Sequence, residues 1–224
     1  MSEVSISVQN LTKTFGKETV LHGVTHEFEA GKIHGIVGNN GSGKTVMFKC
    51  ICGFLTPDDG KVFVGGKQIG KDVDFPPDLG AIIETPGFIP QYSGRKNLEI
   101  LASINKIIGK DQVAQIIRTV GLDPNMKKSV SKYSLGMRQR LGLAQAIMED
   151  PKFLILDEPF NGLDKHGVAE IREIILGLRN KGKTILLASH NAEDIRLMCD
   201  TVCEMDNGYL NELSVDTAKP ETQN

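Results

Sequence analysis

Gly38-Asn39-Asn40-Gly41-Ser42-Gly43-Lys44-Thr45 is the stretch from which the rest of the chain is read. It fits G-x-x-x-x-G-K-[ST], with Gly38, Gly43, Lys44 and Thr45 at the fixed positions. Glycines let a backbone wrap a polyphosphate closely and aim its N–H groups inward. Residues 32–37 read as a strand entering the loop and residues 46–52 as a helix leaving it, and that helix adds the positive end of its dipole. In this pattern Lys44 reaches the β- and γ-phosphates and the Thr45 hydroxyl ligates Mg²⁺. The loop predicts a bound nucleoside triphosphate and says nothing of its use.

The 224 residues fit one domain, or one domain with a subdomain. A chain of that size buries roughly 70 % of its unfolded surface and needs no disulfide or metal staple. A formal net charge of -2 implies no strongly basic face, so no nucleic-acid partner is expected. Residues 1–5 lack the basic and apolar parts of a secretory signal. No apolar run approaches the roughly 18 residues needed to span a bilayer. The expectation is a soluble protein that can dock on a membrane protein. Cys50, Cys52, Cys199 and Cys203 do not have zinc-knuckle spacing and read as reduced, buried small residues.

Residues 4–9 alternate as a half-buried strand, with a turn expected at 13–16 and a second strand over 20–28. Phe15 is either core or a ring on which adenine stacks. Beyond the loop helix, 56–60 reads as a turn, 61–64 as a strand and 79–84 as another. Residues 85–94 include Pro86, Phe88, Ile89, Pro90 and Tyr92 and form an apolar, stiff loop suited to a partner surface. From Arg95 to Met148 the pattern is helical, with helices over 96–106, 112–120 and 141–148. Lys127, Lys128 and Lys132 read as a solvated face. Residues 153–157 and 183–188 are continuous apolar runs of the kind found in parallel strands buried on both faces. Helices follow over 168–178 and 191–198, then a strand over 201–205 and a turn at Asn207-Gly208; the tail from about Asp216 is expected to fray.

Asp157-Glu158 ends one apolar run. At the carboxyl edge of a parallel sheet both acids can face a ligand held by the loop. Asp157 is placed to hold Mg²⁺, and Glu158 to act as general base on the attacking water. His190 ends a second buried strand, where its ring can contact the γ-phosphate or orient that water. His22, His26, His34 and His166 read as structural. Ser134 and Gly136 offer a hydroxyl and free N–H groups at a helix start, as an anion site or as an ordinary cap. If they bind phosphate, one chain carries two half-sites that two chains complete head to tail.

This set resembles the nucleotide-binding subunit of ATP-binding cassette (ABC) transporters, in the family's order from Phe15 to His190. Phe15 looks like the adenine-stacking aromatic and residues 38–45 like Walker A, with Gly38, Asn39, Asn40, Gly41, Ser42, Gly43, Lys44 and Thr45 as nucleotide contacts. Residues 153–158 resemble Walker B, Asn161-Gly162-Leu163-Asp164 the D-loop and His190 the switch histidine. Tyr133-Ser134-Leu135-Gly136-Met137 resembles the signature LSGGQ, keeping Ser134 and Gly136 while changing three positions. Where the family ends a strand in a Gln that contacts Mg²⁺ and water, this chain has Glu84. Both departures look like the exporter branch that includes bacitracin and lantibiotic self-protection systems.

The resemblance implies an α/β fold with a P-loop NTPase (RecA-like) core of mainly parallel sheet, an N-terminal antiparallel β-subdomain and an inserted helical subdomain. Residues 1–85 and 151–224 would form the core and 86–150 the helical part of a single 1–224 domain. The implied cofactors are ATP and Mg²⁺, the metal held by Thr45, Glu84 and Asp157, with Glu158 and His190 catalytic. The implied partners are a second ATPase subunit, identical or not, and an integral membrane permease met through the 85–94 loop. The implied location is cytoplasmic, on the inner face of the cell membrane. A soluble cassette ATPase acting on ribosomes or DNA is the alternative. Those families usually carry two cassettes per chain or a long coiled coil, and a more basic surface.

Overall fold

The computed structural model describes residues 4–213. The expected fraying beyond Asp216, and the first three residues of the N-terminal stretch, lie outside them. The strands are β1 (Val4–Phe15), β2 (Glu18–Glu29), β3 (Ile33–Val37), β4 (Asp59–Val64), β5 (Lys67–Gln68), β6 (Leu79–Ile82), β7 (Phe153–Asp157), β8 (Thr184–Ala188), β9 (Thr201–Asp206) and β10 (Tyr209–Leu213). The helices are α1 (Lys44–Ile51), α2 (Gly94–Asn105), α3 (Lys110–Thr119), α4 (Leu135–Ile147), α5 (Lys165–Asn180) and α6 (Ala192–Met198).

Two sheets form. An antiparallel sheet runs β2-β1-β4-β5, and a six-stranded sheet runs β10-β9-β3-β8-β7-β6. In the latter, β9, β3, β8, β7 and β6 are parallel and β10 adds an antiparallel edge. Every residue of β8 is buried, as its unbroken apolar run requires of a central strand covered on both faces. Because β8 lies between β3 and β7, the loops after all three emerge along one edge. That edge carries the 38–45 loop, Asp157-Glu158 and Ser189-His190, the place where open α/β sheets bind ligands.

Two apolar clusters fill the interior. One packs Met47, Phe48 and Ile51 of α1 between the antiparallel sheet and one face of the six-stranded sheet. The other joins α2, α3 and α4 to β6, β7 and α5. Gly80 makes that second contact possible: a Cβ there would lie 1.9 Å from the Ala146 carbonyl oxygen on α4.

The structure moves several expected boundaries. The turn expected at 13–16 is strand, because the Asp58 carboxylate accepts from Thr14 N at 2.6 Å and Lys13 Nζ at 3.0 Å and keeps β1 extended to Phe15. The reversal falls at Gly16-Lys17. Asp59 and Gly60, expected in a turn, open β4, where Asp59 pairs with Thr12. Glu84, expected at a strand end, lies two residues beyond β6 with φ 57. The helix expected from 141 begins at Leu135, because Ser134 caps it. The Asn207-Gly208 turn is a hairpin leading to β10, a strand whose polar sequence does not announce it.

Candidate nucleotide-binding site

Phe15, Val20, Asn40, Gly41, Ser42, Gly43, Lys44, Thr45, Val46, Glu84, Thr85, Asp157, Glu158 and Asn161 line one cleft of about 540 Å³. The 38–45 loop is braced from behind. Gly208 N donates to Ser42 O at 3.0 Å, and a Cβ on Gly38 would lie 2.2 Å from Met205 O. In front it is open: a Cβ on Gly41 would meet nothing within 4 Å. Gly43 caps α1 at φ 114 without a side-chain hydrogen bond, which leaves the first-turn N–H groups to a ligand. The buried Ser42 Oγ has no hydrogen-bond partner. Lys44 turns its ammonium back onto the Gly38 and Asn39 carbonyls at 2.7 and 3.0 Å. A polyphosphate would supply what each of these groups lacks.

Thr45 Oγ1 donates to Asp157 Oδ2 at 2.7 Å, so two oxygen donors suited to a hard cation already touch. Burial pushes the Asp157 carboxyl above its ordinary range. Glu158 and Glu84 push the same way, and the Thr45 hydrogen bond and Lys44 oppose them. A bound divalent cation would remove that penalty. Glu84 lines the cleft, but its carboxylate is held by Lys49 Nζ at 2.7 Å. Gln91, seven residues after Glu84, is exposed in the 85–94 loop and does not line the cleft.

Glu158 sits just past β7 with φ 52, a left-handed conformation costly for a side-chain-bearing residue. Its N–H donates to Ala188 O at 3.0 Å and its carbonyl accepts from Gln139 Nε2 at 3.1 Å. His190 Nδ1 lies 2.8 Å from Glu158 Oε2. An ionised carboxylate only accepts, so Nδ1 carries the proton and Nε2 is left for another contact. The loop bearing His190 is held by a buried relay. Ser189 Oγ donates to Asp194 Oδ2 at 3.1 Å and accepts from Asn191 N at 3.1 Å. Arg172 Nε donates to Asp194 Oδ1 at 2.8 Å, compensating a carboxylate that is only 1 % exposed.

Phe15 is half exposed beside Val20 in the cleft, with Lys13 Nζ 5.6 Å from its ring centroid, so it is not core. Gly38, Asn39 and His190 line an adjoining hollow of about 710 Å³ that shares Asn40 with the first. Ser134 and Gly136 line neither hollow. Ser134 Oγ accepts from Met137 N at 3.2 Å, capping α4, and a Cβ on Gly136 would lie 2.7 Å from Gly162 O. Within one chain, then, the signature-like segment packs on the D-loop-like turn.

Other residues singled out in the sequence take clear places. Ile89 and Tyr92 of the 85–94 loop are exposed, while Phe88 packs on the core. Asn97 clamps the loop, accepting from Ile89 N at 2.7 Å and donating to Ile89 O at 3.1 Å. The cysteines are free; burial raises Cys50 to about 11 and Cys52, Cys199 and Cys203 to about 12. His34 is buried between Thr201 Oγ1 at 2.7 Å and Glu29 O at 2.9 Å. Sequence reading missed Lys49, Gln139 and the Arg172–Asp194–Ser189 relay. Of these only Asp194, an acid in an otherwise apolar helix face, gave a signal. Among the described residues no helix is long and apolar enough to cross a membrane.

With this geometry in hand, a family profile described as ABC transporter matches residues 21–161. An uncharacterized ABC transporter ATP-binding protein of Bacillus subtilis (strain 168), YybJ, is 44% identical over 205 residues, covering 92% of this chain and 94% of that protein. The bacitracin transport ATP-binding protein BcrA of Enterococcus faecalis is 41% identical, over 94% of this chain and 69% of its own. The lantibiotic transport ATP-binding protein SrtF of Streptococcus pyogenes is 33% identical, over 88% of this chain and 85% of its own. Among solved structures, the ATP-binding cassette MJ0796, a dimer in a post-hydrolysis state bound to ADP and Pi, superposes with a TM-score of 0.84 at 22% identity, covering 94% of this chain and 98% of that one.

Proposed function

The chain belongs to the ABC transporter family of ATP-binding proteins, and from that premise we propose that it is the ATP-hydrolysing subunit of a bacterial exporter of peptide antibiotics. One observation carries the chemistry: a phosphate loop with unsatisfied groups faces a carboxylate, Glu158, that is held by His190. ATP stacks its base on Phe15 and lays its phosphates along Asn39, Asn40, Gly41, Ser42, Gly43 and Lys44. Thr45 and Asp157 would hold Mg²⁺, which would supply positive charge to the phosphates; Glu84, whose Oε1 accepts from Lys49, would offer its other oxygen to the same set. Glu158 accepts a proton from the attacking water. His190 orients Glu158 by donating from Nδ1–H, and as the imidazolium it would also donate from Nε2–H to the γ-phosphate.

Two copies, or this chain and a non-identical one, meet head to tail. Ser134 and Gly136 of one then close the site on the other. Residues 86–150 move as a helical arm on the core formed by 1–85 and 151–224, and the 85–94 loop transmits the motion to a permease at the inner face of the cell membrane. Similarity to bacitracin and lantibiotic transport proteins supports the peptide-antibiotic cargo. The reading predicts that Glu158→Gln lowers ATP turnover by about 10²-fold or more while ATP binding survives, because only the base is lost. Steady-state hydrolysis and equilibrium nucleotide binding of the two proteins check this. Turnover within a few-fold of the unmutated protein removes Glu158 as base.

A further inference from the structure

Three carboxylates, Glu84, Asp157 and Glu158, line a cleft whose expected ligand is a polyanion. Asp157 is answered by Thr45 and Glu158 by His190. Lys44 also lines the cleft, but its ammonium is turned onto backbone carbonyls. Glu84 is the odd member. It stands in a left-handed conformation beyond the end of β6 and its side chain is 62% exposed, so no packing requirement puts a carboxylate there. Its charge is met by Lys49, which projects from α1 one turn beyond Thr45 and whose ammonium lies 2.7 Å from Glu84 Oε1. An ion pair this exposed adds little to folding stability. Its electrostatic reach into the adjoining cleft is another matter, because an uncompensated carboxylate beside phosphates repels them over several ångströms.

We propose that Lys49 is a positioning residue for the nucleotide site, a dedicated counter-ion that lets a carboxylate occupy position 84 without expelling the triphosphate. The inference rests on the nucleotide reading of the cleft. Lys49 need not touch the nucleotide. It works by holding and neutralising Glu84, so its value depends on which residue stands at 84. Beside a neutral amide it would have nothing to neutralise.

A double-mutant cycle separates that dependence from a direct contact with nucleotide. Binding of a fluorescent methylanthraniloyl ATP is titrated in EDTA, so that no metal masks the charge. The proteins are the unmutated chain, Lys49→Met, Glu84→Gln and the double variant. Lys49→Met is expected to weaken binding about fivefold, Glu84→Gln to tighten it by up to a similar factor because Lys49 is then unopposed, and the double variant to return to within about twofold of the unmutated chain. The charge-swapped pair Lys49→Glu with Glu84→Lys is expected to recover binding, which keeps the test informative should Lys49→Met fold poorly. The coupling should shrink at 0.5 M salt, roughly where screening shortens to a few ångströms. A double variant that binds as weakly as Lys49→Met alone, or no loss in Lys49→Met, overturns the counter-ion role. Failure of the unmutated chain to bind the analogue instead brings down the nucleotide reading itself.

Discussion

The two segments that the proposed function treats as half-sites are built to different specifications. The 38–45 loop carries an orphaned hydroxyl, a retracted lysine and an uncapped helix start around a cleft of about 540 Å³. The 134–136 segment has its hydroxyl capping its own helix and its glycine packed on Gly162. The first is a receptor that its own chain leaves unsatisfied. The second is a helix start with its own hydroxyl cap, whose spare capacity is one hydroxyl proton, the Leu135 and Gly136 N–H groups and an exposed Leu135 side chain. Free groups that line a cleft can hold a ligand alone, whereas free groups that line no hollow act only when a second surface delivers the ligand to them. On the proposed function, the single chain binds the nucleotide and a second chain is needed to close the site.

The sharpest test of that contrast sets Lys44→Ala against Ser134→Ala. The first is expected to weaken ATP binding by the isolated chain about 30-fold or more, through loss of charge-assisted contacts to phosphate. The second should leave that binding unchanged while costing about 1 kcal/mol of stability through the lost cap. Calorimetric ATP titration and chemical denaturation of both variants measure this. A large binding defect in Ser134→Ala would place it in the same site as Lys44 within one chain.

A smaller effect probes the strain stored in the receptor half. The folded pKa of Asp157 is raised, so the folded state holds its proton more tightly than the unfolded chain does. Its contribution to stability therefore falls as pH rises through the window above 3.8 and is a net cost at neutral pH. Asp157→Asn keeps an acceptor for Thr45 and removes the charge. It should raise the melting temperature of the nucleotide-free protein by about 2 °C or more while abolishing hydrolysis. A lowered melting temperature would mean that the charge is fully compensated.

The smallest predicted effect lies away from both halves. His34 has its pKa lowered from 6.5 by burial, and His26 likewise, the pair flanking Phe28. Neutral His34 donates from Nε2 to Glu29 O and accepts from Thr201 at Nδ1, and protonation breaks the second contact. A depressed histidine pKa gives stability that is present above pH 6.5 and lost on acidification. The unfolding free energy should drop between pH 7 and 5, and His34→Gln should flatten the slope. An unchanged slope would assign the acid response to other groups.

Much of this was open to sequence reading, and for identifiable reasons. Phosphate binding demands glycines and a lysine at set spacing, so the 38–45 loop declares itself. Buried parallel strands demand unbroken apolar runs, so β7 and β8 do as well. The turn expected at 13–16 failed because a long-range carboxylate, Asp58, decides the conformation of Thr14. β10 escaped because an edge strand needs no apolar pattern. Lys49 escaped because its meaning lies in a residue 35 positions away.

By itself the amino-acid sequence determined the α/β architecture, the phosphate-loop pattern and the position of Asp157, Glu158 and His190 at the ends of buried strands. These depend on local spacing and on hydrophobic periodicity, which a linear string records. Only the tertiary structure decided that His190 grips Glu158, that Lys49 answers Glu84, and that Ser134 and Gly136 stand apart from their own chain's cleft. Such facts depend on distances between charges, and the strand order that puts β8 between β3 and β7 sets those distances.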